Sequence, residues 1–331
     1  MSNAKQILAM LRSRAEDDDE QFYSIALQIA ASEARQGRRT TAEALRGAVE
    51  EARSRSRSGV PIQFAQPRGD LESIIEFREP RYVLKDVVLN SRLCDRLDDL
   101  VRQQTRRDWL REHGKTPNRR VLFLGPPGSG KTMTAEALAG QLRLPLFVVR
   151  LEALITRYMG ETAAKLRLVF DETAKRRGVF LFDEFDAVGG RRSATNDVAE
   201  MRRVLNSFLQ YMEEESSTDS LVVGATNHPE LLDKALLRRF DLVLTFDMPS
   251  EDDIKRIITI GLRPFKVGRL TWTKIFPAAA GLSQAEIAKA AEDAVKAAIL
   301  DERNSVTTEQ LSRRLQERRE MQEAFLTTRS T

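Results

Sequence analysis

Hydrophobic positions change their period along the chain. Between residues 86 and 248, short apolar runs alternate with longer stretches in which apolar positions recur every three or four residues. The short runs, at 121–124, 147–150, 179–182, 221–225 and 242–246, predict strands apolar on both faces, as a parallel sheet covered by helices requires. The longer stretches predict helices over 131–142, 162–176, 196–211 and around 231–237. Such alternation is α/β patterning. After Pro249 the strand signal ends. Helical spacing runs over 252–261, and a second helix over 283–301 opens with the capping-box pair Ser283 and Glu286. Thr307 and Gln310 repeat that pattern before a last helix. Residues 249–319 therefore read as a small helical subdomain, with 320–331 expected to fray as a flexible tail.

The N-terminal part has another character. Residues 1–52 read as two or three helices, with Ile7, Leu8 and Leu11 in one apolar cluster and Phe22, Ile25, Ala26 and Ile29 on the face of another helix. A unit of that size suits a docking or adaptor role and lies near the lower limit of independent stability. Residues 53–59, RSRSRSG, repel one another and bury nothing, so a mobile linker is expected; contact with a phosphate backbone is the alternative use. Pro61, Pro67, Gly69 and Pro80 make 60–85 read as an irregular arm, so that 53–85 is linker and arm and 86–248 is the core domain.

Composition narrows the function. Lys and Arg number 53 against 49 Asp and Glu, a net charge of +4, and the two signs are mixed along the chain. That is a solvated surface rather than the dense basic stripe of a nucleic-acid binder, so a nucleic-acid partner is not expected. The single cysteine, Cys94, excludes an internal disulfide, fits a reducing compartment and reads as a buried small residue. The two histidines, His113 and His228, lack Cys or His companions, which argues against structural zinc. No secretory signal opens the chain, and no run of about 18 apolar residues could span a membrane. A cytoplasmic location is the expectation.

Residues 125–132, GPPGSGKT, match G-x-x-x-x-G-K-[ST] with an apolar run before and a helix-forming run after. Gly125, Gly128 and Gly130 let the backbone turn its N–H groups inward around phosphate, with Pro126, Pro127 and Ser129 completing the loop. The helix N-terminus at Lys131, Thr132 and Met133 adds its positive end. Lys131 is long enough for the β- and γ-phosphates, and the Thr132 hydroxyl can hold Mg²⁺. Residues 179–186, VFLFDEFD, carry Asp183 to the edge of the sheet as a second Mg²⁺ ligand and place Glu184 to polarise an attacking water. Asp186 caps the next turn or supports the site. Asn227, in LVVGATNHP, orients water or senses the γ-phosphate, although alone it would read as a turn residue; His228 reads as structural. The ligands expected are ATP and Mg²⁺.

GPPGSGKT, FLFDEFDAV, GATNHPELLD and ALLRRFD, in this order, resemble the AAA family of ring ATPases over about 85–315. The resemblance implies a P-loop α/β domain with a helical lid, assembly into hexameric rings, and ATP hydrolysis at subunit interfaces. It makes Arg238 and Arg239 arginine fingers that reach the neighbouring subunit's γ-phosphate, where local sequence alone shows an exposed basic turn. It makes Tyr158, Met159 and Gly160 a central pore loop that grips extended protein substrate, where local sequence also allows core packing. In GLSQAEI the small Ala285 stands where other clades place a sensor arginine, so no catalytic arginine is expected from the lid and the chain resembles the classical clade. The stretch LLDKALLRRFD lacks the Pro-Gly insertion of membrane proteases and looks closer to severing and complex-disassembling members. The arrangement is also similar to stand-alone bacterial AAA proteins that accompany a subtilisin-like serine protease, which implies a separate protease partner. No Ser-His-Asp set and no HExxH motif is found in the chain itself. The resemblance thus implies a remodelling, unfolding or translocating ATPase. A nucleotide-controlled assembly switch is the alternative, followed by a DNA remodeller or transposition helper.

Overall fold

The computed structural model describes residues 70–154, 161–184, 206–214, 218–232, 237–263, 265 and 270–328, together with Glu43 and Gly47. The chain divides into two compact units, Met1–Ala65 and Gln66–Thr331. Within the first, Glu43 and Gly47 are helical. The expected helices of 1–52, the linker at 53–59, the pore-loop residues 158–160 and Asp186 lie outside the described residues.

The second unit is built on a six-stranded sheet of β1 (Ile75–Arg78), β2 (Arg120–Leu124), β3 (Leu146–Val149), β4 (Val179–Phe182), β5 (Leu221–Thr226) and β6 (Leu242–Thr245). Their order is β1-β3-β4-β5-β2-β6. All pairs are parallel except β1 with β3, which run antiparallel with Ile75 opposite Val149. Every residue of β3, β4 and β5 is buried, whereas edge strand β6 alternates buried and exposed positions. The continuous apolar runs follow from that: an inner parallel strand is covered on both faces. The α/β core with helices on both faces and a C-terminal helical region is the architecture the sequence predicts.

Alternate strand residues feed two cores. Val121, Phe123, Val179, Leu181 and Val223 pack under α2 (Ser91–Thr105) and α4 (Lys131–Leu142). On the other face, Leu122, Phe147, Phe180, Phe182 and Val222 pack against α6 (Glu161–Lys175) and the helical stretch 206–213. Phe147 and Phe180 stack at 4.7 Å, and Phe182 meets Phe208 edge-on at 5.0 Å. Helix α2 presents Leu93, Leu97 and Leu100 at helical spacing and is capped by Asn90, whose Oδ1 accepts the Leu93 N–H at 2.8 Å.

A third core belongs to the lid, made of α7 (Glu251–Gly261), α8 (Trp272–Ala279), α9 (Gln284–Leu300) and α10 (Thr308–Thr328). Side chains cap three of its helix starts: Thr307 and Gln310 form the reciprocal pair the sequence predicts, Ser283 and Glu286 only half of theirs, and Ser250 and Asp253 add one the sequence reading did not include. Ser250 and Asp253 form a reciprocal capping box, Ser283 Oγ accepts the Glu286 N–H, and Thr307 and Gln310 bond each other's backbone N–H groups. Alanines line α9 at 290, 291 and 294, and a Cβ on Gly261 would come within 2.8 Å of the Ala291 Cβ, so α7 and α9 pack closely. Adjacent residues divide between bodies: Val87 and Leu89 belong to the sheet core and Val88 to the lid core.

Three elements depart from the sequence reading. The presumed irregular arm contains α1 (Asp70–Ile74) and β1, a four-residue strand fixed by long-range pairing to β3. Helix α8 forms despite Pro277, and Arg319 donates to the Pro277 and Ala278 carbonyls at its end. Helix α10 continues past Arg319 to Thr328, over a sequence without Gly or Pro. Two short helices also belong to this unit, α3 (Arg107–Glu112) and α5 (Leu151–Leu154).

Asp241 ties β6 to β2. Its carboxylate accepts the backbone N–H groups of Arg119 and Arg120, at 2.9 and 3.0 Å, and the Arg120 guanidinium. Burial pushes the carboxyl pKa up, but these donors outweigh it and hold the pKa below the usual carboxylate value. A folded-state pKa below the unfolded one adds stability above the unfolded value, and that contribution is lost as pH falls through the folded value. Asp241→Asn is expected to cost about 1–2 kcal/mol at neutral pH, reduced by partial exposure of the pair. Urea melts should show mutant and wild type converging below about pH 4.

Candidate nucleotide site

Strand β2 delivers the chain at Leu124 into a loop whose three glycines have positive φ: 152° at Gly125, 75° at Gly128 and 97° at Gly130. A side chain at Gly125 would strike the Phe246 carbonyl oxygen at 2.3 Å, so both the backbone angle and the space exclude one. Gly130 begins α4 without a side-chain cap. The positive end of the helix thus faces the loop with no side chain capping it, the arrangement that suits an anion. Ser129 is 1% exposed, and its hydroxyl has no hydrogen-bond partner among the described residues.

Lys131 is 6% exposed. Its ammonium donates to the Gly125 carbonyl at 2.7 Å, the Pro126 carbonyl at 2.9 Å and Asn227 Oδ1 at 2.7 Å. Thr132 Oγ1 donates to Asp183 Oδ2 at 2.6 Å, and Asp183 Oδ1 accepts the Glu184 N–H at 2.9 Å. Glu184 holds φ at 51°, a left-handed conformation that costs a non-glycine residue about 1–2 kcal/mol. Strained backbone of this kind gathers at functional sites. Lys131, Thr132, Asp183, Glu184 and Asn227, read from three separate motifs, all line one cavity of about 490 Å³. Pro127, Gly128, Gly130 and Met133 line it too, while Gly125 and Pro126 serve through their carbonyls.

The cavity has two ends. The polar end, just described, carries oxygen ligands, an ammonium and the start of a helix, which suit phosphate. The Thr132 hydroxyl and Asp183 carboxylate are hard ligands, and Mg²⁺ bound through one carboxylate, phosphate oxygens and water fits them. Among the described residues no group of three or more His, Cys, Asp or Glu could hold a metal unaided. The apolar end lies between the 86–88 segment and the lid, with Val87, Val88, Ile257, Ile260, Gly261 and Ala288 as its walls. A flat heteroaromatic base suits that end. Sequence reasoning missed it, because its residues are apolar, far apart in the chain and marked by no motif.

Arg238 and Arg239 are both exposed at the approach to β6, on a turn held by Leu237 and Phe240 against the sheet core. Neither lines the cavity of its own chain. Arg239 forms an ion pair with Glu213 at the end of the 206–213 helix. His228 pairs with Glu230 at the surface, at 2.9 Å, in keeping with its structural reading.

Comparisons with known proteins agree with this geometry. The sequence profile of the AAA family, "ATPase family associated with various cellular activities", matches residues 121–248. A Sinorhizobium fredii protein described as an uncharacterized AAA family ATPase, y4kL, is 34% identical over 96% of both chains. An ATP-dependent zinc metalloprotease FtsH of Lancefieldella parvula is 32% identical over 69% of this chain, which spans only 36% of that protein. A putative 26S proteasome regulatory subunit homolog of Methanothermobacter thermautotrophicus is 32% identical over 64% of this chain and 56% of its own length. Relatives thus fall on both the proteasome-like and the FtsH-like side. The FIGL-1 AAA domain shares the fold, with a TM-score of 0.60 at 23% identity over 73% of this chain and 85% of that one. No helix among the described residues is long and apolar enough to cross a membrane. With a phosphate-binding loop, its acidic and amide partners and a relative matching nearly end to end, this chain belongs to the AAA family of ATPases.

Proposed function

We propose that the protein hydrolyses ATP in sites completed between subunits of a homo-oligomeric ring, a hexamer, and uses the energy to remodel, unfold or translocate protein substrates through the central pore. The observation that carries this reading is the division of the catalytic set. Lys131, Thr132, Asp183, Glu184 and Asn227 meet in one cavity, while Arg238 and Arg239 lie exposed outside it. Lys131 and the loop amides bind phosphate, and Thr132 and Asp183 hold Mg²⁺. Held there, Mg²⁺ would neutralise phosphate charge. Glu184 orients and polarises water, with Asn227 beside it. Arg238 and Arg239 of the next subunit stabilise charge on the transferred phosphoryl. Tyr158, Met159 and Gly160, just ahead of α6, form the pore loop, and 1–52 serves as a docking domain for substrate or a partner such as a separate serine protease. The relatives named as ATP-dependent protease and proteasome regulator support work on proteins; the metalloprotease motif HExxH is absent from this sequence.

Turnover per chain should rise cooperatively with protein concentration. Arg238→Ala/Arg239→Ala and Glu184→Gln chains should each lose about 10³-fold or more in rate alone. Mixing them should recover turnover, because the first supplies working sites and the second supplies fingers. No recovery on mixing, in rings shown to be mixed, would exclude fingers acting in trans.

Tyr158→Ala is expected to lower unfolding of a tagged fluorescent protein, per ATP hydrolysed, by about tenfold or more as the aromatic grip is lost. Unchanged unfolding would favour the assembly-switch reading, in which nothing is threaded.

A further inference from the structure

Gln284 is the first residue of α9, directly after the cap Ser283. It is placed against the phosphate-binding loop: a Cβ built on Gly130 would lie 3.4 Å from Gln284 Oε1. The contact is held by backbone, because the Ala285 N–H donates to the Gly128 carbonyl at 3.0 Å. Among the described lid residues lining the cavity, Gln284 alone has a side chain able to hydrogen-bond; Ile257, Ile260, Gly261, Ala285 and Ala288 do not.

The backbone at this helix start is already committed. The Ala285 N–H goes to Gly128, the Glu286 N–H to Ser283 Oγ and the Ile287 N–H to the Ser283 carbonyl. The N-terminus of α9 thus has few amides left for an anion, but the Gln284 side-chain amide has no hydrogen-bond partner among the described residues. Behind it, Arg318 on α10 pairs with Asp293 and with Glu286 at 3.8 Å, which braces the first turn of α9.

We propose that Gln284 is the lid's phosphate contact: its amide NH₂ donates to a phosphate oxygen of the nucleotide beside Gly130. This rests on the nucleotide-site reading above and adds to it a neutral donor on the lid. A carboxamide can bond phosphate without bringing charge, so the lid senses an occupied loop in nucleoside di- and triphosphates alike. The contact also makes lid position depend on the ligand, because the donor moves with α9.

The test is equilibrium binding of fluorescent ADP and of a slowly hydrolysed ATP analogue, with Mg²⁺, together with amide hydrogen exchange of the first turn of α9. Gln284→Ala should weaken both nucleotides about tenfold, as expected for one hydrogen bond to a charged group, and remove nucleotide-dependent protection of that turn. Gln284→Glu should weaken them further by repulsion, and Gln284→Arg should restore binding in a salt-dependent way. The substitutions remove no observed hydrogen bond of the folded protein, and equal melting temperatures without nucleotide will verify that. Wild-type affinity and protection in Gln284→Ala, with binding lost in Lys131→Ala, would overturn the lid contact alone. Failure of the wild type to bind either nucleotide would overturn the contact and the site reading together.

Discussion

The Lys131 ammonium sits almost out of water at the head of α4, and burying an uncompensated cation costs several kcal/mol. Three oxygens offset that cost, two from the glycine-rich loop and one from Asn227. The strand order is what supplies them. Because β5 lies next to β2, the residue after β5 faces the residue after the loop. Because β4 is the next strand over and runs parallel, Asp183 reaches Thr132. In a parallel sheet every strand ends at the same edge, so polar residues from distant motifs converge there.

The same packing explains the two-ended cavity. Its polar end is made by strand termini and one helix start. Its apolar end needs a second body, and the lid provides it by docking α9 on the loop at Gly128. Glycine at 128 permits that approach: a Cβ there would lie 2.5 Å from Ser283 Oγ. Loop flexibility in sequence and lid contact in space are therefore one requirement placed on one residue.

What could be read from the sequence followed from how local each signal is. The loop 125–132 is contiguous, and the helix start that completes it is adjacent, so site and fold were legible together. Asp183 and Asn227 were legible because a fully apolar run that ends in a polar residue marks a strand reaching the edge of a sheet. Val87, Val88, Ile257 and Gly261 were not, since an apolar wall shared by residues some 170 positions apart looks like ordinary core until the lid is folded. Strand β1 was hidden for a related reason: four residues carry too short an alternation, and their partner is β3. Helix α8 was masked by Pro277, whose carbonyl and that of Ala278 accept from Arg319, 42 and 41 residues away. Gln284 belongs to no motif, so nothing local marks it, and its contact with the loop at Gly130 exists only once the lid is folded.

Val87, Val88 and Leu89 place three consecutive side chains alternately in the sheet, in the lid and in the sheet again. Arg256 on α7 adds a stitch, donating to the Leu89 carbonyl at 3.1 Å. The two bodies thus interlock over the length of one tripeptide, at the apolar wall of the cavity. Because Val88 is seated in the lid core while both its neighbours are seated in the sheet core, a shift of that cavity wall and a shift of the lid against the sheet are, at this tripeptide, one and the same movement.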